Sequence, residues 1–100
     1  MTALANVYLF GERVTRDASR AAAWYRKAAK QGDMTAQLNL GDLYRRGLGV
    51  PKNNIKSYVW LSLAAMQGNA WALDTKRQLI KQMSPQEKRQ AEATLHQQIK

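Results

Sequence analysis

Shifted by 36 positions, the chain overlays on itself. Leu4 falls on Leu40, Tyr8 on Tyr44, Gly11 on Gly47, Val14 on Val50 and Trp24 on Trp60. Ala28-Ala29 then falls on Ala64-Ala65, Gln31-Gly32 on Gln67-Gly68 and Ala36 on Ala72. These ten identities need no gap, and Arg16 with Lys52, Asp17 with Asn53 and Asp33 with Asn69 are near matches. A period of this length marks one supersecondary unit used repeatedly, each copy burying its apolar face against the next.

Within one period the spacing is helical. Ala36, Leu40, Leu43, Tyr44 and Gly47 fall at i, i+4, i+7, i+8 and i+11, one stripe of an α-helix. Gly47-Leu-Gly-Val-Pro51 then ends that helix, since two glycines supply turn conformations and the proline lacks a donor. Asn53 is placed to cap a second helix carrying Tyr58, Leu61, Ala64 and Ala65 on one side, with Trp60 flanking them. Gly68 follows where a left-handed residue lets the chain turn back. The first copy predicts the same hairpin: a helix through about Gly11, a loop, Asp17 as N-cap, and a helix to Gln31 ahead of Gly32. Gly41 and its small counterpart Ala5, like the paired alanines of each second helix, predict close helix–helix approach. Recurrence of Trp24, Trp60, Tyr8 and Tyr44 predicts core positions, so that Trp60→Ala would cost about 3–5 kcal/mol.

The third unit departs from the pattern. A helix from Ala70 to about Met83 is followed by Ser84-Pro85-Gln86-Glu87, a capping box with proline at the first helical position. The helix it opens has Ala91, Leu95 and Ile99 as its apolar stripe and is otherwise polar, as a terminal cap requires. The expected fold class is all-α: an α-α superhelix, or solenoid, of about two and a half hairpin repeats with a C-terminal capping helix. One domain is expected over residues 1–100, with repeats at about 1–36 and 37–72, and a third unit with its cap over 73–100.

Composition narrows the function classes. Cysteine is absent, which removes disulfides and thiolate chemistry. The longest mostly apolar run, Tyr58 to Met66, is far short of the roughly 20 residues that span a bilayer, and no secretory leader pattern is visible. Sixteen Lys and Arg against seven Asp and Glu give +9, a surface that favours acidic partners.

These residues resemble the Sel-one-like repeat (SLR) family, relatives of the tetratricopeptide repeats. The second copy supplies Ala36, Leu40-Gly41, Leu43-Tyr44, Gly47, Gly49-Val50, Asn53, Trp60, Ala64-Ala65 and Gly68, departing at Asn53 and Ser57 from the family's aspartate and alanine. The first supplies Leu4, Val7-Tyr8, Gly11, Val14, Asp17, Ala21, Trp24, Ala28-Ala29 and Gly32, with Arg13 where the loop glycine belongs. The resemblance covers about 72 residues directly and the last 28 more weakly. It implies a short right-handed solenoid, bacterial, without catalytic residues or cofactor, that binds a protein or peptide on its concave face. Adaptor or scaffold, regulatory and immunity roles all occur among such proteins. Self-association through repeat ends, and origin as a segment of a longer array, are both compatible with it.

By analogy with tetratricopeptide repeats, the groove-facing candidates are Asn6, Leu9 and Phe10 in the first copy, Asp42, Arg45 and Arg46 in the second, and Trp71, Asp74, Gln78 and Lys81 in the third. Trp71 and Phe10 have no aromatic counterpart in the other copies, and tryptophan is a frequent interface anchor. Arg26, Lys27, Lys30, Lys88 and Arg89 read as outer surface.

Catalytic readings fare worse. His96 stands alone without a neighbouring carboxylate, so no metal site is expected, and Asp42 and Asp74 read as ion-pair partners rather than an acid–base pair. Gly47-Leu-Gly49 follows a helix rather than a strand, which excludes a dinucleotide fingerprint. The alternative to a protein-binding module is a basic domain that binds nucleic acid non-specifically. No recognition-helix or stacking-platform motif accompanies the charge.

Overall fold

A computed structural model describes residues 14–99, with side chains from Ala18 to Gln98. These residues form five helices: α1 (Val14–Lys30), α2 (Met34–Arg46), α3 (Asn54–Met66), α4 (Ala70–Ile80) and α5 (Pro85–Ile99). Helices α2 and α3 are the hairpin of the second copy, and α4 and α5 the third unit. The first copy's opening helix, with Leu4, Ala5 and Tyr8, lies outside the described residues.

The period is visible in the hydrogen bonds that turn one repeat into the next. At the end of α1, Gly32 N–H donates to Ala29 at 3.0 Å and Asp33 N–H reaches back to Ala28 at 3.1 Å. At the end of α3, Gly68 donates to Ala65 at 2.9 Å and Asn69 to Ala64 at 3.2 Å. Asp33 and Asn69 then cap the following helices, each side chain accepting from an alanine N–H, Ala36 or Ala72, at 2.8 Å. Ala36 and Ala72 are fully buried, so the recurring Gln-Gly-Asp/Asn-x-x-Ala is one device for stopping a helix and starting the next.

Other predicted ends hold as well. Asn53 accepts from Lys56 N–H at 2.9 Å, and Gly47 donates to Leu43 at 2.7 Å. The capping box closes in both directions: Glu87 N–H to the Ser84 hydroxyl and Ser84 N–H to the Glu87 carboxylate, each at 3.1 Å. Two expected ends move: α4 stops at Ile80 rather than near Met83, and α1 starts earlier than its predicted cap. Asp17 lies inside α1, three residues beyond its start, rather than ahead of it. Thr15 stands where the second copy has Pro51, and Arg13 where it has Gly49, so nothing stops the first copy from helix formation this early.

Two apolar clusters form the core. One joins Ala21, Ala22, Tyr25, Ala28 and Ala29 of α1 to Ala36, Leu40, Leu43 and Tyr44 of α2. The second joins Tyr58, Leu61 and Ala64 of α3 to Ala72 and Leu79 of α4, to Met83 in the turn that follows, and to Ala91 of α5. Gly41 is the close approach between α2 and α3, because a Cβ there would meet Leu61 side-chain carbons at 2.8 and 2.9 Å. Beside it the buried Ser57 hydroxyl donates to Gly41 C=O at 2.6 Å, a use for the serine that replaces the family's alanine. The loop between α2 and α3 also touches α1: a Cβ on Gly49 would lie 2.3 Å from the backbone carbonyl of Ala18.

The recurring tryptophans are not the core plugs their recurrence predicts. Trp24 is 38% exposed and Trp60 only partly buried. The next residue in each copy, Tyr25 or Leu61, is fully buried. Tyr25 lies in the centre of the Ala21, Ala22, Ala28, Ala29 stripe of α1, and Trp24 lies at its edge. Truncating Trp60 therefore removes less buried area than the figure expected from sequence assumes.

Candidate protein-binding surface

Helices α2 and α4, first helices of their hairpins, pack on each other and carry the described candidates. On α2, residues one turn apart meet around one carboxylate. Arg45 donates from Nε and Nη2 to Asp42 Oδ1 at 3.1 and 2.6 Å, while Arg46 Nη1 stands 3.6 Å from Oδ2. Two cations thus share one acid, partly exposed, at the end of a helix where positive charge is favoured. The ion-pair role expected of Asp42 is observed, and Arg45 is held in a fixed orientation.

On α4 the candidates recur at helical spacing along one exposed side: Trp71, Asp74 and Gln78, with Lys81 just past the last turn. Gln78 Nε2 donates to Asp74 Oδ2 at 3.4 Å. Trp71 is 76% exposed, which excludes the packing role a tryptophan usually fills. Leu73 is also exposed, on the other flank of the same helix. Among the described residues, no hydrogen bond or ion pair joins the α2 group to the α4 group. Asn6, Leu9 and Phe10 lie outside the described residues.

A group that the period did not point to stabilises the same region. Gln37, buried in α2, donates to Ala29 C=O at 3.2 Å and accepts from Gln67 Nε2 at 2.7 Å. Gln67 also donates to Gly32 C=O at 3.2 Å, so the recurring Gln of one repeat end clasps the previous one. Gln37 has no counterpart in the first copy, where Met1 stands. The signal that could have found it is a polar residue beside the core position Ala36.

Among the described residues, no cluster of His, Asp and Glu could hold a metal ion, and His96 is exposed. No described helix is long and apolar enough to cross a membrane. Tyr25 and Tyr58 have phenols pushed up to about 12, both chiefly by burial. At Tyr58 the hydrogen bond to Glu92 and that residue's charge add to the effect.

The Sel1 repeat family profile matches residues 1–33 and 35–69. The chain belongs to the Sel1 repeat family. Over 46 residues it is 46% identical to a sel1-like repeat-containing protein of Acanthamoeba polyphaga mimivirus, and over 46 residues 41% identical to one of Schizosaccharomyces pombe. Those alignments take 46% of this chain but only 8% and 7% of the relatives. Among solved structures, this Sel1 chain superimposes on c5321, a protective antigen of uropathogenic Escherichia coli strains displaying an SLR fold. The TM-score is 0.86 at 33% identity, over 96% of this chain and 21% of that one. A Sel1 repeat protein from Oxalobacter formigenes gives 0.70 at 45% identity, over 78% of this chain and 22% of that one. The all-α helical-repeat fold is therefore that of the SLR solenoids. Sel1 repeats are in general protein-interaction modules, and their fold is typically a non-enzymatic scaffold.

Proposed function

We propose that this Sel1 chain is a non-enzymatic adaptor that holds an acidic protein partner on the face carried by α2 and α4. The observation that carries the reading is Trp71, a large aromatic 76% exposed on a helix whose other side is packed. An aromatic so placed gains contact area on docking at little conformational cost. Asp42, Arg45 and Arg46 on α2 supply oriented donors and one acceptor, and Asp74, Gln78 and Lys81 on α4 extend the polar rim. The net charge of +9 favours an acidic partner by steering its approach.

A pull-down from the native source after nuclease treatment, comparing wild type with Arg45→Glu/Trp71→Ala, tests this. The expected result is a discrete acidic protein that survives nuclease and is lost with the double variant. Recovery of nucleic acid alone, or a partner indifferent to both substitutions, would overturn it.

A further inference from the structure

Among the described residues, three cations border one cleft and no acid borders it. The cleft, about 380 Å³, lies between the second helices α1, α3 and α5. Arg26 and Lys30 stand one turn apart on α1, and Lys56 faces them from α3 with Val59 and Trp60; Tyr44 of α2 completes the aromatic part. Helix α5 adds only the uncharged Thr94 and Gln98.

Among the described residues, no acid neutralises these cations. Arg26 reaches the Tyr44 hydroxyl at 3.5 Å, and the Lys56 ammonium lies 5.5 Å from the same ring's centre. Among the described residues the ion pairs are those of Asp42 with Arg45 and Arg46, so none involves Arg26, Lys30 or Lys56. Like charges gathered at one cleft oppose each other, and the low-dielectric walls between them focus the positive field where an anion would sit. On the α2–α4 face, by contrast, Asp42 and Asp74 offset most of the charge of Arg45, Arg46 and Lys81.

We infer that this cleft binds an acidic peptide segment of a partner protein. A Glu or Asp carboxylate would take charge-assisted hydrogen bonds from Arg26, Lys30 and Lys56. A neighbouring aliphatic or aromatic side chain would lie against Val59 and Trp60. The volume is at the small end for ligand sites, enough for a few side chains. A nucleic-acid strand fits less well, since it needs cations along a track and free ring faces for stacking, whereas Trp60 is partly packed into the core. The cleft shares no residue with the α2–α4 face and does not depend on that proposal.

The test is fluorescence anisotropy at 0.15 M salt with the rhodamine-labelled peptide Glu-Glu-Phe-Glu-Glu-Leu, its Gln-for-Glu analogue, and an oligothymidylate of equal charge as competitor. The full chain is compared with Arg26→Ala/Lys56→Ala, Lys30→Glu and, as a control that also removes two cations, Lys88→Ala/Arg89→Ala. All five substituted side chains are at least partly exposed, and equal melting temperatures would verify that each variant folds. The acidic peptide is expected to bind, the Gln analogue not to bind, and each cleft variant to weaken binding about tenfold or more. The Lys88→Ala/Arg89→Ala variant should stay within about twofold of wild type. The inference fails if the acidic peptide does not bind, or if the cleft variants bind as wild type. It fails equally if the Lys88→Ala/Arg89→Ala variant loses as much, or if oligothymidylate displaces the peptide at equal concentration.

Discussion

Gly49→Ala should be among the most damaging single-methyl additions to this chain, and the reason is geometric. Gly49 has φ of +73°, a region where an L side chain costs roughly 1–2 kcal/mol. The added Cβ would lie 2.3 Å from both Ala18 C and O and 2.7 Å from Ser19 N. Those atoms are helix backbone, so no rotamer change relieves the collision, and the loop must withdraw from α1 by about an ångström. Overpacking of this kind costs about 1–3 kcal/mol, giving a total of about 2–5 kcal/mol. At about 4–8 °C per kcal/mol for a chain of this size, the melting temperature should fall by at least about 8 °C. Gly32→Ala is the control: its φ is +94° but nothing lies within 4 Å, so only the conformational cost of about 1 kcal/mol applies. Thermal unfolding followed by far-UV circular dichroism measures both. Equal losses in the two variants would refute the contact between the Gly49 loop and α1.

High pH should unfold the protein through its buried phenols. Tyr25 and Tyr58 are raised from 10.0 to about 12, so the fold favours their neutral forms: that stability is complete below about pH 10 and lost as pH rises through 12. Tyr58→Phe should lessen the alkaline loss, and a titration of tyrosinate absorbance with every tyrosine ionising near 10 would contradict this. Gln37→Leu should cost about 1–3 kcal/mol in denaturant unfolding, because Ala29 C=O and Gln67 both lose a buried partner. Ser62→Ala should be neutral or stabilising by up to about 1 kcal/mol, since the buried Ser62 hydroxyl has no hydrogen-bond partner among the described residues. Ser84→Ala should cost about 1 kcal/mol by removing the cap of α5, with a smaller loss from Glu87→Gln, which retains an acceptor.

Much of the fold is legible in the sequence because backbone devices recur as identities. Gln31-Gly32 and Gln67-Gly68 end their helices with the same pair of hydrogen bonds, and Asn53 and Ser84 cap where their residue types suggest. Legibility fails where position matters more than identity. Tyr25 and Leu61 fill equivalent core positions with different shapes, so the period draws attention instead to Trp24 and Trp60, which lie at the edge of the packing. The start of α1 is misplaced for a related reason: Asp17 matches Asn53 in type, but Thr15 lacks the constraint that Pro51 imposes.

The candidate surfaces divide along the same line. A residue that stabilises the stack is needed in every copy, whereas a residue that recognises a partner is needed once. Arg26 corresponds by the 36-residue shift to the buried Ser62, Lys30 to Met66 and Lys56 to Glu92, whose carboxylate accepts the Tyr58 hydroxyl. The equivalent positions one repeat on therefore carry a packed hydroxyl, an apolar chain and an acid, and cannot rebuild the cationic cleft. Trp71 likewise corresponds to Thr35. From sequence, Arg26 and Lys30 read as ordinary surface, because charge on a helix exterior has no period to mark it. What distinguishes them is their meeting with Lys56 across three helices, a relation carried only by the packing of α1, α3 and α5.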